Sequence, residues 1–427
     1  MRYTMIEQKT KTMTVQRASF VSLLLILLLL PNIQAQNGTS SPFSMFGIGE
    51  IEMRDFGRTT AMGSVGIGLQ SENFLNRRNP AALGGIDTLR FILDVSAAMK
   101  FSEFSTAANS GRSNDFSFKS IAVGVRLSKR WTSSVGLTPY SNVGYQMKSP
   151  IQIQGTKETE NAVYSGNGGV NKFYWANAYE LFQGFSLGVT SSYLFGNFTH
   201  TAEESMITIE NIYNVNKIHF DFGMQYLRQF GEHTAVTIGG IYSYKANMPI
   251  EHMRLVTTPY STERNQRFSD IKSFIPETYG AGFSILRNKN AAEWVFAADY
   301  QFQNWSVNPM THETLTFSDS HTYSAGLQFT PNQRPENYLQ FIRFMVGASY
   351  NQSYLKVNGY QSNDYSLSFG VGLPFYNQMR RTVSYVNVAV NVGEWGTGQR
   401  GGVTERYVLF SVNMSLIERW FAKRQWD

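Results

Sequence analysis

The amino-acid sequence predicts an all-β protein: a 14-stranded antiparallel transmembrane β-barrel with an N-terminal plug, or hatch, inside its lumen. Three observations lead to this fold class. About fourteen runs of alternating apolar and polar residues follow residue 88, short connections alternate with longer ones, and the chain contains 31 Phe, 23 Tyr and 7 Trp. Barrel strands alternate because one face meets lipid and the other a polar lumen, which also explains a mean hydropathy of only −0.26.

Residues 1–35 have the pattern of a secretory signal peptide: a basic head, the apolar stretch Phe20–Leu30, and the small residue Ala35 at the expected cleavage position. A single transmembrane anchor is the alternative, but a stretch of 11 residues falls short of the about 20 apolar residues that cross a bilayer core. Cleavage near Ala35 would deliver the mature chain beyond the cytoplasm. The chain has no cysteine, which excludes disulfides, cysteine-based metal sites and a lipoprotein anchor.

The alternation is clear in Glu293–Gln303, where every second residue is apolar or aromatic and most of the others are polar. A helix would scatter these two sets around its circumference, so a strand is predicted. Comparable runs divide residues 89–416 into fourteen strands, an even number, as single-chain outer-membrane barrels require. Residues 417–427 follow the last predicted strand, and we expect them to form a periplasmic C-terminal tail.

Alternation alone does not separate a membrane barrel from a soluble β-sandwich, and two further features favour the barrel. Fourteen strands are too many for one ordinary sandwich. Aromatic residues near strand ends, such as Trp294 and Tyr242, match the interfacial girdles of membrane barrels. The short turns at 182–183 and 231–232 and the longer segment at 251–267 match periplasmic turns and external loops.

Residues 36–88 differ from the rest of the chain because they are rich in glycine and show little sustained alternation. Such a segment can be a disordered tail, or it can fold inside a lumen that the wall side chains alone do not fill. Its apolar content, which includes Phe43, Phe56 and Phe74, argues against simple disorder. We therefore predict that this segment is a plug.

The turn Arg78-Asn79-Pro80-Ala81 lies near the end of that segment. Proline fixes the backbone of the turn, and small residues after it allow close packing. We expect these residues to lie inside the barrel, with a gating or ligand-binding role. Arg77 or Arg78 is expected to pair with a lumen carboxylate, for which the candidates are Asp94, Glu293 and Asp299.

The same four residues, preceded by the glycine run Gly63, Gly66 and Gly68, resemble the plug motif of the FadL/TodX outer-membrane transporters of hydrophobic compounds. The third predicted strand, WTSSVGLTPYSNVGYQM, adds to the resemblance because a proline in mid-strand marks a kink, a bulge or an edge. In that family a kinked third strand opens the barrel wall. The resemblance therefore implies a lateral opening here, and the candidate residues for it are Thr138, Pro139 and Tyr140.

The opening SPFSMFGIGE and the closing ERWFAKRQWD look like a Bacteroidota-type branch of the same superfamily. That branch includes PorV-like barrels, which are accessory subunits of secretion machinery and need not transport fatty acids. A plain β-bulge without any hole is the alternative interpretation of Pro139, because bulges are common in barrels.

The sequence does not predict an enzyme. The stretch GFSLG at 184–188 matches a nucleophile-elbow pattern, but it lies in a strand pattern rather than at a strand-to-helix turn. No catalytic residues, metal ligands or cofactor motif are therefore assigned. The net charge of +6 is too dispersed to indicate nucleic-acid binding.

Two functions from different classes remain. The first is passive uptake of a hydrophobic, fatty-acid-like molecule through the cell outer membrane, by ligand capture, plug rearrangement and lateral release into outer-membrane lipid. The second is a barrel subunit that does not transport and that docks an outer-membrane protein or a lipoprotein within a secretion or assembly complex. In that case the loop at 251–267 and the aromatic tail would be contact surfaces.

Overall fold

The computed structural model describes residues 39–419, except for gaps at 53, 55, 71, 89, 108, 153–158, 290, 307–314, 333–337, 378–381 and 399–401. These residues belong to one compact unit, Asn37–Asp427. The predicted signal peptide at 1–35 and residues 420–427 of the predicted tail lie outside the described residues. Among the residues described, no helix combines the length and the apolar character needed to cross a membrane.

Fourteen strands form the wall, and two of them consist of two segments each. The strands are β1 (Arg90–Ser105), β2 (Ser110–Arg126), β3 (Trp131–Gln152), β4 (Thr159–Phe182), β5 (Phe185–Glu204), β6 (Ile207–Phe230), β7 (Thr234–Ser243 and Ile250–Thr258), β8 (Ser261–Arg267 and Glu277–Lys289), β9 (Ala292–Asn304), β10 (Ser320–Thr330), β11 (Arg343–Val357), β12 (Tyr360–Asn377), β13 (Thr382–Gly396) and β14 (Thr404–Arg419).

Each strand pairs antiparallel with the next, and β14 pairs with β1 from Arg90↔Arg419 to Ser105↔Thr404, which closes the barrel. The predicted fold class, a 14-stranded antiparallel barrel, is confirmed. The last strand continues past its predicted end at residue 416, because Ile417 and Glu418 still pair with Ile92 and Phe91 of β1. The predicted tail therefore begins later than expected.

Short elements complete the described structure. Four 3-10 helices occur at Pro42–Met45, Arg58–Met62, Pro80–Gly85 and Tyr338–Phe341. Two-residue strands pair Ala246–Asn247 with Phe274–Ile275, and Leu315–Phe317 adds to the β11 ladder.

The outer face of the wall is apolar and the inner face is polar. In β6, Ile218 and Met224 are 57% and 54% exposed, whereas His219 and Gln225 are 4% and 1% exposed. A soluble sandwich would bury the apolar face, because exposed apolar surface of this extent is unfavourable in water. The apolar outer face is favourable when it is in contact with lipid, as in a membrane barrel.

The N-terminal segment (residues 39–86) packs against the inner face. The helix Pro80–Gly85 contacts β3, β4, β5 and β6, whereas Arg58–Met62 contacts β10, β11, β12 and β13 on the other side of the barrel. The segment is mostly buried, and Met62, Ile67 and Ala81 have no exposed surface. It therefore crosses the interior from one side of the wall to the other, which supports its interpretation as a plug.

Candidate functional site

Asn79 fixes the turn predicted from the sequence. Its side-chain oxygen accepts a hydrogen bond from the Ala81 backbone N–H at 3.0 Å and so caps the helix that begins at Pro80. Its side-chain nitrogen donates to the Ile67 carbonyl at 2.8 Å and to the Met224 carbonyl of β6 at 3.1 Å. The turn is therefore bound to another part of the segment and to the wall.

Three wall glycines let the segment approach this closely. A methyl group at Gly188 would overlap Pro80 and the Ala81 nitrogen, one at Gly223 would overlap the Asn79 side-chain oxygen, and one at Gly239 would overlap the Ile67 carbonyl oxygen. These glycines lie on the adjacent strands β5, β6 and β7. They were not among the predicted site residues, although glycine inside a strand can mark the close approach of another backbone.

Charged groups hold the segment at further points. The Asp299 carboxylate of β9 accepts hydrogen bonds from the backbone N–H groups of Gly66 at 2.6 Å and Ile67 at 2.8 Å. Arg77 lies 3.6 Å from Asp94 of β1 and donates to Ser120 of β2 at 2.7 Å. The predicted pairing of Arg77 or Arg78 with a lumen carboxylate is thus confirmed for Arg77.

The beginning of the segment is held by a second charged group. Lys100 of β1 lies between Glu50 and Glu405, at 3.4 Å and 2.7 Å from their carboxylate oxygens. Burial raises the pKa of the Glu50 carboxyl, but Lys100, the Thr39 hydroxyl and Lys119 together outweigh it, so this pKa lies below its usual value. Glu50 is therefore ionised at neutral pH and binds the segment to the wall.

The ladder between β2 and β3 is short. It contains six residue pairs, from Ile121↔Leu137 to Arg126↔Thr132, although β2 continues to pair with β1 as far as Ser110 and β3 with β4 as far as Gln152. The two strands separate immediately before Thr138 and Pro139. The β2–β3 ladder therefore ends beside the residues that were candidates for a lateral opening.

The N-terminal segment covers this interruption from inside. Glu50 and Ile51 pair with Asn142 and Ser141 of β3, and the Glu52 N–H donates to the Tyr140 carbonyl at 3.0 Å. The pairing of β3 with β4 also shifts between Pro139 and Ser141, which marks a bulge. A bulge is therefore present at Pro139 and one ladder ends beside it, whereas a lateral opening at Thr138, Pro139 and Tyr140 stays a prediction.

A cavity of about 230 Å³ lies between the segment and this part of the wall. Its lining brings the two predicted site groups together, because Arg78 and Pro80 of the turn and Thr138, Pro139 and Tyr140 of β3 all contribute to it. Asn79 and Ala81 do not line the cavity, since both are buried in the contact with β5 and β6. Apolar side chains also line it, namely Leu83, Leu194, Ile275 and Trp305.

Polar side chains form another part of the lining. His219 of β6 lies 2.7 Å from the Ser243 hydroxyl and 3.4 Å from the Asp221 carboxylate. Ser186, the serine of GFSLG, lies within β5 and next to Gly84, so it is not at a strand-to-helix turn. In the part of the chain that is described, no three His, Asp or Glu side chains are grouped closely enough to hold a metal ion.

Solved structures similar to this chain include toluene transporters and a FadL homologue. The Ralstonia pickettii toluene transporter TbuX has a TM-score of 0.55 at 15% identity, covering 86% of this chain and 98% of that one. A Pseudomonas aeruginosa FadL homologue has a TM-score of 0.56 at 12% identity, and the P. putida toluene transporter TodX a TM-score of 0.56 at 13% identity. Both cover 86% of this chain and 99% of their own. The predicted FadL-type fold is confirmed.

No curated protein sequence matches this chain significantly. The model of the BamG family matches residues 17–427, which is nearly the whole chain, and the chain therefore belongs to that family. The narrower resemblance to a Bacteroidota-type, PorV-like branch stays a prediction.

Proposed function

We propose that this BamG-family barrel takes a small hydrophobic molecule into its lumen cavity and releases it sideways into the outer membrane between β2 and β3. The observation that carries the proposal is the early end of the β2–β3 ladder beside a lumen cavity. The similar solved structures include transporters of toluene, which supports the same class of cargo here.

Lateral release avoids a polar exit. A hydrophobic molecule that continued downward would meet the charged contacts that fix the N-terminal segment and then the aqueous periplasm. A gap between β2 and β3 leads instead toward the apolar outer face, where transfer from water is favourable by about 25 cal/mol per Å² of apolar surface.

The contacts at the gap indicate which part of the segment would move. The pairing of Glu50 and Ile51 with β3 and the hydrogen bond from Glu52 cover the separated edge, and Ser44 adds hydrogen bonds to both backbone groups of Gly144. Each such hydrogen bond contributes about 1 kcal/mol net, and opening the pairing also separates Glu50 from Lys100. The turn at Asn79 is bound to Ile67 and to β6 by hydrogen bonds of its own, and it is an anchor in this proposal rather than the gate.

A disulfide across the gate tests the route. Ile51 and Ser141 are paired residues, so the double variant Ile51→Cys and Ser141→Cys places two thiols opposite each other in a chain that has no native cysteine. We expect oxidation to reduce uptake of radiolabelled toluene by cells carrying the barrel, and reduction to restore it. Unchanged uptake in the oxidised form would exclude release through this gap.

The control disulfide lies in an unbroken ladder. Ser349 of β11 and Ser366 of β12 are paired, and their hydroxyl oxygens are 2.8 Å apart. The variant Ser349→Cys and Ser366→Cys adds the same cross-link away from the gate, and uptake is expected to be equal in its oxidised and reduced forms.

A second candidate function is docking of another outer-membrane protein, and a groove on the outer face of β9–β12 favours it. Ala298, Ala325 and Ala348 are in register across three strands and form its floor. A row of tyrosines in register flanks this floor, namely Tyr300, Tyr323, Tyr350 and Tyr365. Small residues would let the wall of a second barrel approach closely, as small residues do at contacts between membrane-spanning helices.

Filling the groove tests this candidate. Ala325→Trp adds a bulky side chain to the floor, whereas Met224→Trp changes an outward residue of β6 that is already 54% exposed. If the groove binds a second barrel, purification in mild detergent should recover that protein with the Met224→Trp variant and much less of it with Ala325→Trp. Equal recovery with both variants counts against docking at the groove.

A further inference from the structure

The wall has a second interruption, between β6 and β7. Asp221 pairs with Ser243, and the ladder resumes only at Val215↔Ile250. Residues 216–220 of β6 therefore have no ladder partner in β7, because the chain from residue 244 to 249 leaves the wall. The neighbouring strand β8 departs with it between its two segments.

The departing chains fold into the lumen. Ala246 and Asn247 pair with Ile275 and Phe274, and Met248 donates to the Ser273 carbonyl at 2.8 Å. Their buried side chains pack with inward residues of β5 and β6, including Leu194, Phe198 and Val215. The middle of the β7–β8 hairpin thus fills part of the barrel and leaves the flank of β6 without a neighbour.

The lumen cavity extends from the first interruption to the second. Besides Thr138–Tyr140, it is lined by His219, Ser243 and Pro276 at the β6–β7 break. Phe222 and Tyr242 also line it, although these side chains face outward and are 42% and 38% exposed. The cavity therefore reaches the outer face at this break.

Among the described residues, three buried polar atoms in the cavity lining have no hydrogen-bond partner. They are His219 Nδ1, Ser192 Oγ and Ser134 Oγ, and their residues are 4%, 1% and 3% exposed. Leaving a buried donor or acceptor without a partner costs free energy, so such atoms call for an explanation. Polar atoms without partners in a ligand-sized cavity point to a ligand that carries a hydrogen-bonding group.

We propose that this cavity binds a small molecule with an apolar ring and one hydroxyl group, held by His219 and Ser192 beside the β6–β7 break. With the proton on His219 Nε2, next to Ser243 and Asp221, Nδ1 is an acceptor for the ligand hydroxyl, and Ser192 donates to the ligand oxygen. Leu194 and Ile275 supply apolar contacts for the ring. This inference rests on the proposed function, because it names the ligand class of the same cavity.

The size of the cavity favours a single ring over a long chain. Its volume of about 230 Å³ is below the roughly 300–1,000 Å³ of pockets that hold drug-sized ligands. A fatty-acid-like ligand, as the sequence resemblance implied, would extend beyond it.

Binding of phenol and of toluene to the purified barrel in detergent micelles tests the proposal by calorimetric titration. Loss of one neutral hydrogen bond should lower the binding affinity about three- to tenfold. Ser192→Ala is therefore expected to lower the affinity for phenol by that factor and to leave the affinity for toluene unchanged. The matched control is Ser191→Ala, since the adjacent serine alternates to the other face of the strand and is absent from the cavity lining. His219→Leu should act like Ser192→Ala, with a larger effect.

Two results would overturn the inference: equal affinity for phenol and toluene in the unmodified barrel, or equal weakening of both ligands by Ser192→Ala. The outcome is separable from the proposed route. If the barrel prefers phenol but the Ile51–Ser141 disulfide has no effect on uptake, only lateral release between β2 and β3 is rejected. If the disulfide blocks toluene uptake but the barrel does not prefer phenol, only the hydroxyl site is rejected.

Discussion

The side-chain nitrogen of Asn79 donates a hydrogen bond to the main-chain carbonyl of Met224 across 3.1 Å, which joins the N-terminal turn directly to the sixth strand. The same nitrogen lies 2.8 Å from the Ile67 carbonyl and 3.4 Å from that of Gly240. One fully buried side chain thus connects two parts of the N-terminal segment with two strands of the wall.

Replacement of this residue should loosen the segment without preventing assembly of the wall. Asn79→Ala removes the helix cap and leaves buried carbonyls without a donor, so we expect a loss of about 1–3 kcal/mol in the free energy of unfolding. Urea unfolding in micelles measures this loss. The exposed Asn114→Ala should change little, and equal effects of the two substitutions would contradict the anchoring role of Asn79.

Adjacent glycines of β7 provide a matched test of close approach. Gly239→Ala places a methyl group against the Ile67 carbonyl oxygen, whereas Gly240→Ala would meet the flexible end of Met224 at 3.1 Å. We expect a loss of about 1–3 kcal/mol for Gly239→Ala, as for other overpacked sites, and a much smaller change for Gly240→Ala. Protease sensitivity of residues 58–86 should rise only in the Gly239 variant, and similar sensitivity in both would contradict the contact.

The proline of the third strand should control the width of the first interruption. Pro139→Val restores a backbone N–H and removes the fixed proline geometry, so β2 and β3 are expected to pair further and toluene uptake to fall while the barrel still assembles. Pro374→Val is the control, because Pro374 lies within the intact β12–β13 ladder. Unchanged uptake in the Pro139 variant would count against the lateral route.

Acid should loosen the pairing of Glu50 and Ile51 with β3. In the folded barrel the pKa of the Glu50 carboxyl lies below the ordinary glutamate value of about 4.3. The stabilisation that ionised Glu50 gives to the pairing is therefore complete above about pH 4.3, and it is lost as the pH falls through the lowered pKa. A spin label on Ile51→Cys should become more mobile in that pH range. With Glu50→Gln the mobility should already be high at neutral pH, and a mobility that is independent of pH in both proteins would contradict this prediction.

The sequence predicted those features that depend on side-chain alternation or on a single special residue. Alternation identified the fourteen strands because each strand has one apolar and one polar face. The long loop expected at 251–267 was wrong, since Ile250–Thr258 and Ser261–Arg267 are paired strand segments. Pro139 indicated the first interruption because proline cannot donate to a ladder. Ala81 and Ala82 are buried, in agreement with the close packing expected of small residues after the proline.

The second interruption was missed for a physical reason. Burial still alternates at Ala246, Met248 and Ile250, since the chain that leaves the wall packs one face into the lumen. The alternation of apolar and polar residues shows which side chains are buried, but it does not show with which strand a segment pairs. Pro249 and Pro276, which lie at the end of the departing chain in β7 and in β8, were the available signal, and it is the same kind of signal as Pro139.

The two interruptions also divide the wall mechanically. Strands β3 to β6 are joined to one another by long ladders, but they meet the rest of the barrel through six residue pairs on one side and through a divided ladder on the other. These four strands therefore form a unit that is bounded by the two interruptions. Although the barrel is closed, we expect this unit to move relative to the other strands, and the cavity lies directly behind it.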